Sequence, residues 1–529
     1  MMRKLVSAAS AAAVMLASPA FAATADDDKG SRYLQCDGQP NNMSDGEGFA
    51  RFLGAVTLLG IFAPAPEAPD PSKRQFGEAG VTACNLLIDG EAAEGNGFRR
   101  IPLILARGLH QIEAKNYQAA LDDVAKARAE AAALGLVGNP HFDRSMGLSF
   151  GNIEAVARLR MDDPQAAQNA SLERLAAMNY SFVPTMASQT YSEFLHDLSP
   201  EAERKLAAQA RILPAAFGDF SARLEEVGRF ADAAAKREAL IRTVEELKPE
   251  DNVSLIYAVT ALSHALAGNW DDAQRRATFA QDNLAARRAA GKPEDNGARA
   301  VELLDLYEIL RVAHDGDMVQ ARRRFAARSQ WLEPSLGVLM ETSRRLREGA
   351  ASEELTGALA KSPEELWQER RDSVMAVELQ QDTDNKSLFQ LIWPYARIDD
   401  FEARSRDTWR TDKSKMMTKE ADEETGMWRI FAFGNRQTAI DSIVLHAALQ
   451  AKAQGKEGFT MLLTMSSEQN VYLGPLTYGW FRFVNRDEAG AEAERFLPAD
   501  EVIAELSQVI PSPEALRARR STERRGKAS

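Results

Sequence analysis

The stretch Gly147-Leu148-Ser149-Phe150-Gly151 fits the G-x-S-x-G pattern, in which a serine held on a strained strand-to-helix turn attacks an acyl carbon. That chemistry needs a buried strand before the serine and a helix after it. The residues ahead of it, Asn139-Pro140-His141-Phe142-Asp143-Arg144, read as a loop and a helix start. The pattern is also short enough to arise by chance, so no catalytic residue is assigned. His110, His141, His196, His264, His314 and His446 fall one per segment, and none makes H-E-x-x-H or another metal-ligand spacing. With neither a Walker loop nor C-x-x-C in the chain, no metal and no cofactor is expected. The carboxylate pairs Glu225-Glu226, Asp271-Asp272 and Glu353-Glu354 read as solvated helix faces, because a glycosidase-type pair is recognisable only around a cleft. That leaves two cysteines, Cys36 and Cys84, whose chemistry depends on the compartment.

The N-terminus sets that compartment. Arg3 and Lys4 precede an uncharged, mostly apolar run from Leu5 through Ala17, and Ala20-Phe21-Ala22 follows Pro19 as a small-residue cleavage site. This predicts a secretory signal peptide over residues 1–22, too short to span a bilayer. No cysteine follows the cleavage site and no twin arginine precedes it, so ordinary export without a lipid anchor is expected. The periplasm is the first destination, with full secretion as the alternative. In an oxidising compartment an even pair of cysteines forms a disulfide, which across a loop of about 50 residues stabilises by roughly 4 kcal/mol. Two independent buried thiols are the alternative. Cleavage takes the formal net charge from −13 to −15, and an acidic exported chain suits neither nucleic acid nor an anionic membrane surface. Arg322-Arg323-Arg324 and the basic tail after Leu516 read as solvated surface.

Local patterning divides the mature chain. Between the cysteines, Phe52 through Phe62 is apolar and reads as a buried helix, with a membrane-dipping segment as its rival. A proline-rich connection from Pro64 to Pro71 and a helix from about Gly80 to Leu87 complete an N-terminal helical cap, residues 23–98. Next come two amphipathic helices, Ile101 to Glu113 and Tyr117 to Ala127, meeting at Lys115-Asn116. Gly108 inside the first weakens it by roughly 1 kcal/mol relative to alanine, which makes sense if it admits a neighbouring backbone. Tyr117, Ala120, Val124 and Ala127 share one face. The same order of turn, apolar anchor and alanine recurs at Phe230 with Ala233, Trp270 with Ala273, and Met318 with Ala321, each behind a Gly, Asn or Asp turn. A weaker copy starts at Asp162-Asp163-Pro164.

This pattern resembles the tetratricopeptide (TPR) repeat, in divergent copies over roughly residues 99 to 345. The anchors that carry the resemblance are Gly108, Tyr117, Ala120, Phe230, Ala233, Trp270, Ala273, Met318 and Ala321. It implies an α-solenoid of helical hairpins, because each hairpin leaves an apolar face that only the next can cover. It also implies a concave groove for a protein or peptide, lined by Leu105, Leu109, Ile112, Leu262, Leu266, Leu306 and Leu310. Leucine at those positions is more often core than groove. An irregular helical bundle is the alternative to the repeat reading.

The period changes in the last third. Residues 99–380 are expected as repeats and 381–424 as an extended connector docking Phe389, Trp393, Tyr395, Phe401 and Trp409 on its neighbours. Residues 425–511 are expected as a small α/β module and 512–529 as a basic flexible tail. Within the module, strands are predicted at 428–433, 458–464, 470–473 and 478–484, with a turn at Gly474-Pro475. Helices are predicted from about Thr438 to Gln454 and from Pro498 to Val509. The expected fold is mostly α, a TPR-like solenoid with a small C-terminal α/β (α+β) module. The expected function is an exported, non-catalytic scaffold that binds a protein or peptide. The alternative is a cell-envelope enzyme with its site in the C-terminal module or at its junction with the repeats.

Overall fold

Five times the chain leaves one helix through a left-handed residue and enters the next two residues later. The left-handed residues are Lys115 (φ 63°), Asp162 (φ 59°), Gly228 (φ 76°), Gly268 (φ 84°) and Gly316 (φ 101°). The helices they open begin at Tyr117, Pro164, Phe230, Trp270 and Met318. In each turn the following amide donates five residues back: Asn116 to Gln111, Asp163 to Arg158, Arg229 to Leu224, Asn269 to His264 and Asp317 to Val312. This closure satisfies carbonyls that the helix end leaves open. Three residues into each second helix stands an alanine without exposed surface: Ala120, Ala167, Ala233, Ala273 and Ala321. A methyl group at the contact lets the paired axes approach closely.

The computed structural model describes residues 30–41, 67–91, 93–247, 253–331, 335–396, 399–412, 415–419, 426–433, 436–470, 474–488 and 492–526. Residues 1–22, expected as a signal peptide, and the apolar stretch Phe52 to Phe62 lie outside these residues. The chain divides into two units, residues 1–134 with 380–392, and residues 135–379 with 393–529.

The first unit holds the helices Arg32–Asp37, Gly77–Ile88, Gly97–Glu113 and Tyr117–Ala133. Cys36 and Cys84 form a disulfide with Cα atoms 4.8 Å apart. Beside it, His110 is fully buried, its Nδ1 2.7 Å from Glu113 Oε2 and its Nε2 2.8 Å from the Cys36 carbonyl. Only glycine fits at Gly80, where a Cβ would stand 2.3 Å from the His110 ring. Gly108 is less constrained, since a Cβ there would meet the Ala120 carbonyl at an ordinary 3.5 Å. The first hairpin groups with the helices of the expected cap in one compact unit. The reason is that the buried Arg99–Asp37 ion pair and the His110 contact tie the first hairpin to the cap helices.

The second unit carries the other four hairpins, Met146–Arg160 with Pro164–Leu172, Phe217–Glu226 with Phe230–Leu247, Ser254–Leu266 with Trp270–Ala289, and Gly297–His314 with Met318–Ala326. Its five-stranded sheet comprises β1 (Met417–Lys419), β2 (Trp428–Phe433), β3 (Gly458–Asn470), β4 (Gly474–Val484) and β5 (Phe496–Pro498), in the order β1-β2-β4-β3-β5 with all pairings antiparallel. β2 and β3 flank β4, so they run parallel and need a crossover. The helix Arg436–Ala453 supplies it. The sheet packs Ile430, Phe459 and Phe481 against Ile440, Ile443 and Val444 of that helix, and against Val502 and Leu506. Tyr180, Phe182 and Ile212 from the helical region complete the same core, so the sheet is not a separable domain.

Several expected boundaries change. The segment read as an extended connector contains the 3₁₀ turn Leu388–Leu391, the helix Asp399–Thr408 and β1. Three of its aromatics do dock: Phe389 against His110 at 5.0 Å, Tyr395 against Phe142 at 5.6 Å, and Trp409 by donating to the Ile510 carbonyl at 2.8 Å. The Phe401 side chain lies outside the described residues. Gly474 and Pro475, expected as a turn, open β4, and residues 471–473 lie outside the described set. Pro498 ends β5 and caps the helix Ala499–Leu506. The expected flexible tail is the helix Pro513–Gly526, because Ser512 Oγ accepts the Ala515 amide at 3.2 Å and Leu516 is buried.

Candidate functional site

The predicted groove is core. Leu105, Leu109, Ile112, Leu262 and Leu306 have no exposed surface, and Leu266 and Leu310 keep only 4%. These side chains face their own unit's helices and present nothing to a ligand. Among the anchors, Phe230 is buried, whereas Tyr117, Trp270 and Met318 are half-buried, Trp270 stacking on His314 at 4.2 Å. Ser149 lies within the helix Met146–Arg160, fully buried, its Oγ accepting the Trp393 amide at 2.8 Å. A helical, enclosed serine is not a nucleophile elbow. Among the described residues no cluster of His, Cys, Asp and Glu is arranged to hold a metal ion.

Of the carboxylate pairs, one member departs from the solvated reading. Glu225 is buried and accepts two bonds from Arg237 at 2.9 Å, one from Ser263 Oγ at 2.5 Å and one from Ser335 Oγ. Arg237 occupies the offset filled by Val124 in the first hairpin. An arginine in an apolar register was the available sign that a buried acid faces it.

The most suggestive cavity forms around Lys205. Ser199 caps the helix Pro200–Ile212 and Pro200 sits in its first turn, which fixes where the helix starts. Lys205 then falls beside the buried stripe Ala202, Leu206 and Ala210, and retains 9% exposure. Its ammonium donates to Gln209 Oε1 at 2.5 Å. Among the described residues no carboxylate lies within ion-pair distance of it, so two of its three donors are open. Burial pushes its pKa down to about 8, against the upward pull of Glu193 and Asp219.

Arg223, on the helix Phe217–Glu226, lines the same cavity. It is 8% exposed, donates to the Ser192 carbonyl and pairs with Glu226, and its buried Nε has no partner. Burial lowers its pKa, and Arg370 adds to the effect. Tyr191 precedes Ser192 in the left-handed region, φ 46° and ψ 22°, a conformation costing a non-glycine residue roughly 1–2 kcal/mol. The cavity volume is about 470 Å³, with Thr190, Gln209, Glu193 and Asp219 on its wall. Lys205 also borders a second cavity of about 260 Å³ beside Asn179, and Arg370 borders a third of about 370 Å³ beside Phe325 and Trp331. The first shares Lys205 with the second and Arg370 with the third, and the first and third fall within the size range of ligand sites.

A second group of shifted residues holds the C-terminal helices to the chain at 179–182. Asp441 accepts Ser181 Oγ at 2.9 Å and the Phe182 amide at 2.7 Å, while Glu505 accepts the Asn179 and Tyr180 amides at 2.8 and 3.0 Å. Burial raises Asp441 to about 6 and Glu505 to about 7, outweighing those bonds and nearby Arg144. Neither carboxylate borders any of the three cavities.

Sequence reasoning missed Lys205, Arg223, Asp441 and Glu505. A charge inside an apolar helical stripe marked Lys205, but its cavity depends on residues 189–226 and 370–378 meeting in space. No protein-family model, no curated protein and no solved structure matches this chain.

Proposed function

We propose that the chain is an exported, non-catalytic scaffold of TPR type that holds a protein or peptide in the periplasm, with secretion as the alternative destination. The observation that carries this reading is the fivefold recurrence of one turn, followed each time by a buried alanine three residues into the next helix. Helical hairpins that stack give a long, rigid face suited to an extended partner. With the seven leucines in the core, the face available to such a partner is the set of cavities bordered by Lys205 and Arg370. The disulfide suits an oxidising compartment, and among the described residues no helix is long and apolar enough to cross a membrane. Affinity capture of the mature, oxidised protein from cell envelope, with cross-linking, tests the reading. It predicts a stoichiometric protein partner cross-linked to helices 200–226 and 363–380. Capture of nothing, or cross-links scattered over the surface, would sink it.

A cell-envelope enzyme is the second reading, and one observation favours it: Asp441 and Glu505 have pKa values near neutrality where the C-terminal helices meet the repeats. It predicts a hydrolytic activity of the purified protein that Asp441→Asn abolishes at a temperature where both proteins remain folded. A panel of ester, amide and glycoside substrates turned over equally by both proteins would remove it.

A further inference from the structure

On the wall of the 470 Å³ cavity the two most deeply buried charged groups are cations, with Glu226, Arg370 and Glu378 at intermediate depth and Glu193 and Asp219 exposed. Lys205 and Arg223 are more than nine-tenths buried, and each keeps an open donor. A buried cation with unfilled donors is costly unless something completes it. Glu193 and Asp219 are exposed, and among the described residues neither has a hydrogen bond or ion pair. Cations at the floor and acids at the rim select a ligand carrying both charges, negative end inward. A phosphate dianion fits poorly, because it would also meet Glu193, Asp219, Glu226 and Glu378 on the same wall. On the same wall, Gln189, Thr190 and Gln209 offer neutral donors and acceptors of the kind amide groups use.

We propose that this cavity binds a short free peptide as a zwitterion, its carboxylate on Lys205 Nζ beside the Arg223 guanidinium and its ammonium between Glu193 and Asp219. The assignment shares its cavity with the scaffold reading but rests on the cavity's own charges, so binding of a small peptide can succeed or fail whether or not a protein partner is captured. Desolvation at the floor strengthens the inner contact, and the left-handed Tyr191 holds the Ser192 carbonyl where it anchors Arg223.

Calorimetry on the full-length mature protein tests it with three probes: trialanine, N-acetyl-trialanine and trialanine amide. Trialanine is expected to bind, and masking either terminus to weaken binding at least about tenfold, the loss of one charge-assisted contact. Lys205→Met is expected to lower trialanine affinity by a similar factor and to abolish the preference for a free carboxylate. The double variant Glu193→Gln/Asp219→Asn changes only exposed side chains. It is expected to keep the wild-type melting temperature and to lose the preference for a free ammonium, which keeps the test decisive if Lys205→Met does not fold. Absence of trialanine binding, equal binding of all three probes, or displacement by inorganic phosphate at equal concentration would each overturn the proposal.

Discussion

Lys205 and Asp441 show how single buried charges make stability depend on pH in opposite directions. The Lys205 pKa near 8 lies below the ordinary 10.5, so the unfolded chain holds this proton more tightly. Its contribution to stability therefore rises as pH climbs from about 8 towards 10.5. Lys205→Met removes that slope and should stabilise the protein at pH 7 by about 1–3 kcal/mol, as replacing a poorly paired buried charge with an apolar side chain does. Asp441 and Glu505 behave in the reverse sense. Their folded pKa values, about 6 and 7, stand above the ordinary 3.8 and 4.5, so their contribution is complete in acid and is lost as pH rises through 6 to 7. Asp441→Asn keeps an acceptor for the Phe182 amide and cannot ionise. Measured by urea midpoints, its stability relative to wild type should increase by about 2 kcal/mol between pH 4 and pH 8. A flat difference would show that Asp441 titrates normally.

The recurring turn is a property of elements, and its energetics are separable from packing. A Cβ on Gly268 would meet nothing within 4 Å, so Gly268→Ala should cost only the left-handed penalty, about 1–2 kcal/mol by chemical denaturation. Lys115 and Asp162 already bear that penalty, and Lys115→Gly should recover about 0.5–1 kcal/mol after glycine's entropic cost. Opening the Cys36–Cys84 link with reductant should destabilise the first unit by roughly 4 kcal/mol and leave the second unit's unfolding unchanged. A single melting transition shifted as a whole would show the two units to be coupled. These turns could be read from the sequence because the instruction is local: a residue tolerant of positive φ, then an apolar anchor, then alanine. Gly455 closes its helix by the same bonds, Gly455 to Lys452 and Lys456 to Ala451, but leads into β3. The turn alone therefore does not specify a hairpin. The strands of three residues at β1 and β5 were not legible, since such edges are defined by the strand they pair with. The basic tail hid a helix because its arginines masked the Ser512-Pro513 start and the single buried Leu516.

At the scale of the whole chain, recognition and folding depend on pieces far apart in sequence. The cavity at Lys205 needs the segment 189–194, two helices within 200–226 and a helix that begins at Pro363, which is why no window of sequence announced it. The sheet likewise borrows Tyr180, Phe182 and Ile212 for its core. A chain truncated after residue 412 should therefore expose those side chains and bind a hydrophobic dye, whereas an autonomous C-terminal domain would leave the remainder soluble and dye-silent. Shared ownership of one core also has a temporal cost. Translation proceeds at about 5–20 residues per second, and roughly 230 residues separate Ile212 from the helix that covers it, so this apolar surface waits on the order of ten to forty seconds for its lid. An apolar surface left open for that long is prone to aggregation, so holding factors present during synthesis should raise the yield of folded protein.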